Sequence, residues 1–233
     1  MRKLLAIAAA FFLLTAWSLP EAHKFGNETA VVIGDWCSGT VVDKDKGIIV
    51  TANHCVSQLM HKGKRYGEDK EGYRAVETYT YYDPFTVTQN KFDEYGLQYS
   101  QASYDTEVLI TDPLKDTALV KINTNKYDSV FLKEAKMSTK RVQYGDVVYA
   151  VGNPLMIHFT VSRGNVIHPM GSVGGDLVIV HDAMVNSGSS GGALYNEDGE
   201  LIGLTNASYK PNGPAFADPI KAAIELLKKV RND

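Results

Sequence analysis

Three polar side chains in this chain stand in contexts that fit acyl-transfer chemistry. Ser190 lies in Gly188-Ser189-Ser190-Gly191-Gly192, small residues that let the backbone turn sharply and approach a ligand closely. His54 follows the apolar stretch in "IIVTANHC", and Asp116 stands just before the apolar run in "TDPLKDTALVKI". A serine hydroxyl attacks an acyl carbon when a base takes its proton. A third group must hold that base in the right tautomer, and N–H donors must face the oxygen that gains charge. In that division of labour Ser190 is the nucleophile, His54 the base and Asp116 the orienting acid. Successive N–H groups around Gly188 and Ser190 could converge into an anion-binding nest.

Each position also has a plain structural role. A lone histidine is more often structural or exposed than catalytic. An acid before a strand is commonly a turn residue, and five small residues can simply turn. Asp112 is the nearest competitor of Asp116, but it precedes Pro113, which favours a turn. The remaining histidines, His23, His61, His158, His168 and His181, have weaker contexts. No His/Cys cluster has zinc-site spacing, since His54 and Cys55 are adjacent. No glycine loop opens a helix to cradle a phosphate. The expectation is a site without cofactor or metal.

The elements that must position these residues are mostly short strands. "TAVVI", "SGTVVD", "GIIVTANH", "TALVKI", "DVVYAVG", "HFTVSRGNVI", "DLVIVHDAMV" and "ELIGLTNAS" are punctuated by Gly, Asn, Asp and Pro at close spacing, which indicates a sandwich or barrels. The one persuasive helix downstream of the N-terminal segment is the last. Asp218 reads as its N-cap, Pro219 as its first residue, and Ile220, Ile224, Leu227 and Val230 as its apolar stripe. Between about 58 and 105 the chain is rich in Tyr and charge, and it alternates like strands from Val76 onward. This reads as a hairpin excursion with tyrosines packed on its sides, or as a flap that touches substrate or a partner.

With 233 residues and 44% hydrophobic content, the chain can build a sizeable core. A net charge of -3 gives no electrostatic reason to expect nucleic acid as a partner. "MRKLLAIAAAFFLLTAWS" has the layout of a secretory signal peptide: Arg2 and Lys3, an apolar run from Leu4 to about Trp17, then small residues. Cleavage is expected after Ser18, with Ala22 the competing site; the apolar run is short for an uncleaved anchor. In an exported chain the pair Cys37 and Cys55 suggests a disulfide, with two buried free thiols the alternative. Such a bridge would fix the turn that carries His54.

"TANHC", "DTALVKI" and "GSSGGAL", in that order, resemble the His, Asp and Ser motifs of the chymotrypsin-fold (trypsin-like) serine proteases. "GDVVYAVGNPL", "FTVSRGNVI", "DAMVNSGSSGGALYNEDGELIGL" and "GPAFADPI" are similar to the second barrel of the HtrA-type branch. The likeness covers about 37–56 and 109–227. It implies an all-β fold of two antiparallel β-barrels with a C-terminal helix and a site in the cleft between the barrels. The protease domain would span 25–233: a first barrel at about 30–125 with the insert at 58–105, a second at about 140–216, and the helix at 219–231. His54 and Asp116 would come from the first barrel and Ser190 from the second. The N–H groups of Gly188 and Ser190 would form the oxyanion hole, with Ser189 between them.

Several departures from that pattern carry their own expectations. Ser189 is not the acid that pairs with a new N-terminus in digestive relatives, so no zymogen-type activation is expected. It also replaces the Asn usual in the HtrA-type branch. Met184, six residues before Ser190, is not the acid of a Lys/Arg pocket. With Thr205, Asn206 and Ala207 it implies a modest apolar pocket and cleavage after small or medium aliphatic residues. The 43 residues after Ser190 leave no room for the PDZ domain common in that branch. The reading is a secreted or periplasmic serine endopeptidase acting on polypeptides, without stable membrane insertion once the signal is removed; the sequence leaves its oligomeric state open. Two alternatives stand beside it: a catalytically silent binding scaffold on the protease fold, and an acyl hydrolase or esterase. Against the latter, Gly191-Gly192 lead into a strand rather than the helix of a G-x-S-x-G elbow.

Overall fold

The computed structural model describes residues 19–68, 74–123, 133–208 and 213–232. The segment read as a signal peptide, 1–18, lies outside the described residues. The chain opens with α1 (Leu19–Thr29), β1 (Ala30–Ile33), β2 (Cys37–Asp43), β3 (Ile48–Ala52) and the short helix α2 (Asn53–Ser57). It continues with β4 (Met60–Glu68), β5 (Arg74–Tyr82), β6 (Phe85–Phe92), β7 (Gln98–Asp112) and β8 (Thr117–Ile122). The second half holds β9 (Val147–Gly152), β10 (Thr160–Val173), β11 (Asp176–His181), β12 (Ala193–Asn196), β13 (Leu201–Ser208), β14 (Ala215–Pro219) and α3 (Lys221–Asn232). Among the described residues β1-β2-β3-β8-β7-β6 close into one barrel and β10-β11-β14-β13-β12-β9 into another, every pairing antiparallel.

Alternation along the strands sorts side chains between two destinations. Val31, Ile33, Val41, Ile49 and Val120 fill the interior of the first barrel. Their neighbours Ala30, Val32, Val42, Ile48, Val50 and Leu119 face outward, yet they are equally buried. They meet Tyr149, Val151, Tyr195 and Leu204 of the second barrel and Ala223, Leu226 and Leu227 of α3 in one seam. The second barrel's interior is Val148, Ala150, Val166, Ile179, Leu194, Ile202 and Ala217. The continuous apolar runs "AVVI", "IIVTA" and "TALV" follow from this, because both faces of those strands leave water. Each such side chain contributes roughly 1.5–3 kcal/mol of burial, which fixes the barrels against each other.

Three differences from the sequence reading have physical causes. Asp218 and Pro219 are not the start of the last helix. They extend β14, Asp218 opposite Leu204 and Pro219 opposite Gly203, and α3 begins at Lys221. The pairing with β13 overrides the local Asp-Pro signal, and Pro219 sits at the strand end, where a missing N–H costs least. A helix unforeseen in the sequence, α1, covers the seam with Ala22, and Phe25 stacks edge-on against Tyr195. The excursion is also narrower than 58–105. Only β4 and β5 stand apart as a two-stranded sheet, whereas β6 and β7 are barrel strands, with Phe85, Val87 and Gln89 turned inward. The alternation was legible, but the Tyr-rich composition did not separate these barrel strands from the projecting hairpin. On the free hairpin Tyr79 and Tyr81 pack side by side, and Arg65 lies 5.8 Å from the Tyr79 ring centre.

Candidate active site

β3 delivers His54. Its five residues are all buried, and α2 begins directly after it. On the neighbouring strand β8, the turn before Thr117 delivers Asp116. Asp112 caps that turn by accepting from the N–H groups of Leu114 and Lys115, both at 3.1 Å. The turn ends with Asp116 in the left-handed region at φ 42. That conformation is uncommon outside glycine and asparagine, and it aims the carboxylate back at α2. The N–H of Asn53 donates to the Asp116 carbonyl at 2.9 Å and that of His54 to Oδ1 at 2.8 Å. His54 Nδ1 lies 2.7 Å from Oδ2.

A carboxylate only accepts, so Nδ1 carries the proton and Nε2 is left as a basic lone pair. The bond to Asp116 is the largest influence raising the imidazole pKa, burial opposes it, and the charges of Asp116 and Asp218 add to the rise. The His54 side chain is 45% exposed and that of Asp116 23%, so the base meets solvent while its acid is partly enclosed.

Cys37 and Cys55 are joined in a disulfide. Together with His54 they form a group whose ligand atoms are within 4.8 Å of one another, but sulfurs bonded to each other offer no thiolate to a metal.

The turn carrying Ser190 is pinned by the first barrel. Ser38, next to Cys37, donates its N–H to the Ser190 carbonyl at 2.8 Å and its hydroxyl to the Gly188 carbonyl at 2.7 Å. The same hydroxyl accepts from the N–H of Asn153 at 2.9 Å. Gly188 has φ +95, and a Cβ there would collide with the Asn153 carbonyl oxygen. Gly191 has φ +79, and a Cβ would collide with the Thr51 hydroxyl at the end of β3. These two glycines therefore let the turn press against the strand that leads into His54.

Within the turn, Ser189 N donates to Asn186 O, Gly191 N to Thr205 O and Gly192 N to Ser189 O. Among the described residues the N–H groups of Gly188 and Ser190 have no backbone acceptor. The Ser190 hydroxyl donates to the carbonyl of Asn206 on β13 at 2.8 Å. Cys55 Sγ, one residue beyond His54, is 3.5 Å from the Ser190 carbonyl oxygen.

A small pocket beside this turn is lined by Met184, Ser189, Thr205, Thr160, Pro154 and Ala150. Met184 is 56% exposed at its mouth. Asn206 turns away from it, its side-chain amide donating to Asp218 Oδ2 at 2.8 Å. The backbone of Ala207 pairs with Phe216. Sequence reasoning missed Ser38 and misplaced Asp218. Ser38 gave no signal beyond its place after Cys37, because it acts between elements 150 residues apart.

Residues 37–204 match the family described as the trypsin-like peptidase domain. The chain is 34% identical over 142 residues to the serine endoprotease DegS of Haemophilus influenzae, covering 56% of this chain and 40% of that protein. It is 32% identical over 212 residues to a probable periplasmic serine endoprotease DegP-like of Brucella suis, covering 88% and 34%. It is 31% identical over 181 residues to the periplasmic serine endoprotease DegP of Escherichia coli, covering 76% and 31%. The chain thus spans between about a third and two fifths of the length of these relatives. A crystal structure of the serine endoprotease from Yersinia pestis superposes with a TM-score of 0.64 at 23% identity, over 93% of this chain and 68% of the other, and shares the fold.

Proposed function

The chain belongs to the trypsin-like peptidase family, and on that premise we propose that it is a serine endopeptidase whose reacting groups are Ser190, His54 and Asp116. The observation that carries this reading is the doubly bonded Asp116, which holds His54 with Nε2 free to take a proton. The Ser190 hydroxyl would exchange its bond to Asn206 for one to Nε2 and attack the peptide carbonyl. His54 would then return the proton to the leaving amine, with Asp116 stabilising the imidazolium. The N–H groups of Gly188 and Ser190, which have no backbone acceptor among the described residues, suit the oxyanion, and Ser189 serves only as the residue between them.

Met184 and Thr205 give the neighbouring pocket no acid, which supports a preference for small or medium apolar residues before the cut. Export to the periplasm or beyond is supported by the leading segment and by the names of the relatives. Cleavage after Ser18 would leave α1 whole, with its buried Ala22. Among the described residues no helix is long and apolar enough to cross a membrane.

The test is hydrolysis of reduced casein by the disulfide-intact chain beside Ser190→Ala. Cleavage lost in the variant supports the reading, and the cut sites define the pocket; equal cleavage by both sinks it. One observation favours a binding scaffold instead: the Ser190 hydroxyl is bonded to Asn206, and among the described residues no bond joins it to His54. Absence of cleavage by folded wild type would select that alternative.

A further inference from the structure

β13 is irregular where it passes Ser190. Thr205 pairs with Ala217 and Ala207 with Phe216, so Asn206 is the extra residue of a β-bulge. A bulge re-aims both the backbone and the side chain of its extra residue. Here the Asn206 carbonyl accepts the Ser190 hydroxyl at 2.8 Å, and the Asn206 amide donates to Asp218 Oδ2 at 2.8 Å. One residue thus links the candidate nucleophile to a carboxylate on β14.

Asp218 is half-buried, and through Asn206 it is one side chain away from the Ser190 hydroxyl. Burial is the main influence pushing its carboxyl up, to about 6; the Asn206 amide pulls it down, Asp116 and Asp176 raise it, and His54 lowers it. The charged groups around it come from each adjoining element: His54 on α2, Asp116 in the turn before β8, and Asp176 at the start of β11. Asp176 is itself 3.5 Å from Lys115 Nζ.

We propose that Asp218 is a positioning residue of the His54–Asp116–Ser190 site, fixing through Asn206 the carbonyl that holds the Ser190 hydroxyl and stabilising the His54 imidazolium as a second carboxylate. The proposal rests on the acyl-transfer reading given above. A neutral side chain at 218 could tether the Asn206 amide but would supply no charge. The charge matters because His54 becomes a cation when it takes the Ser190 proton, in a partly enclosed site where a nearby carboxylate acts strongly. The tether matters because a hydroxyl in a fixed rotamer beside the base needs only one rotation to reach it.

The sign follows directly. Ionised Asp218 raises the His54 pKa, so its removal lowers that pKa and moves the acid limb of reactivity to lower pH. Ionised Asp218 makes the His54 proton harder to lose, so where the two titrations overlap the His54 curve is broader than a single ionisation.

Two variants of the full disulfide-bonded chain, Asp218→Asn and Asn206→Ala, separate the two roles. His54 ring titration is followed by NMR, and phosphonylation of Ser190 by a fluorophosphonate is followed against pH. In Asp218→Asn the His54 midpoint is expected to fall by about half a pH unit, and the phosphonylation limb to follow it with a one-proton slope. In Asn206→Ala the Asp218 carboxyl loses the amide that pulls its pKa down, so the His54 midpoint falls by less than in Asp218→Asn, while phosphonylation slows roughly tenfold. An unmoved His54 midpoint in folded Asp218→Asn overturns the charge role, and wild-type rates in Asn206→Ala overturn the tether. If Asp218→Asn does not fold, the wild-type titration decides, since a His54 curve of single-ionisation width contradicts the coupling. The NMR arm needs no substrate. Wild-type Ser190 inert at every pH therefore removes the acyl-transfer reading and the tether with it, while the Asp218–His54 coupling is still decided by titration.

Discussion

The two barrels contribute to the site in unlike ways. The first builds a finished acid–base pair: α2 donates two N–H groups and the His54 ring to one residue, and a disulfide anchors the same helix to β2. The second supplies a turn whose Gly188 and Ser190 N–H groups have no backbone acceptor among the described residues and whose hydroxyl is bonded to its own strand β13. That turn is nevertheless seated by Ser38 of the first barrel. A base can be oriented in advance by contacts inside one barrel. The turn that carries Ser190, whose hydroxyl the proposed reaction requires to change partners, is held by contacts that cross the seam.

The largest expected effect tests the finished half. Asp116→Asn should keep the fold but favour the wrong His54 tautomer, lowering kcat by about 10⁴-fold in a peptide assay. A loss below tenfold would show that the pair is not what prepares the base. Gly188→Ala tests the open half. The added Cβ meets the Asn153 carbonyl at a positive φ, so the turn must shift and the Gly188 and Ser190 N–H groups with it. We expect a fall of roughly 10²–10³-fold in kcat, with KM changing less.

A smaller effect separates stability from chemistry. Cys37→Ser with Cys55→Ser opens the loop that anchors α2 and should lower unfolding stability by about 3 kcal/mol, read from urea midpoints. Hydrogen exchange should rise first in α2 and β2 rather than around Ser190; the reverse order would contradict the division between barrels.

The smallest effect lies inside the second barrel. His181 is fully buried, and neither ring nitrogen has a hydrogen-bond partner among the described residues. Burial pushes its pKa down from 6.5 to about 4, partly offset by Asp182. The unfolded chain therefore binds the extra proton between those values, so stability is full above pH 6.5 and lost as pH falls toward 4. The loss is on the order of 2–3 kcal/mol. Urea midpoints at pH 7 and pH 4.5 check it, and His181→Leu should flatten the difference.

The strand pattern was legible in the sequence wherever burial leaves a continuous signature. "IIVTA" and "TALV" read as strands, and the helical spacing of Ile220, Ile224, Leu227 and Val230 announced α3. Composition misled where side chains serve a projecting hairpin. Tyrosines at 79, 81, 95 and 99 made the whole stretch look alike, although β6 and β7 bury Phe85, Val87 and Gln89 and close a barrel. Asp218-Pro219 misled because a local capping signal competes with strand pairing, and the ladder to Leu204 and Gly203 won.

The order of residue types along the chain was enough to nominate His54, Asp116 and Ser190, because each kind of chemistry demands particular side chains in particular local contexts. It was also enough to suggest a sandwich or barrels and a link between Cys37 and Cys55, while two barrels came from the resemblance of the motifs to the chymotrypsin-fold proteases. The direction of the Ser190 hydroxyl, the seat that Ser38 provides and the link from Asp218 through Asn206 to Ser190 were fixed by folding. These depend on a bulge at Asn206 and on contacts across the seam, where residues far apart in sequence meet. Local pattern carries no record of such meetings. They arise when two closed sheets bury a shared face and bring their loops to one end.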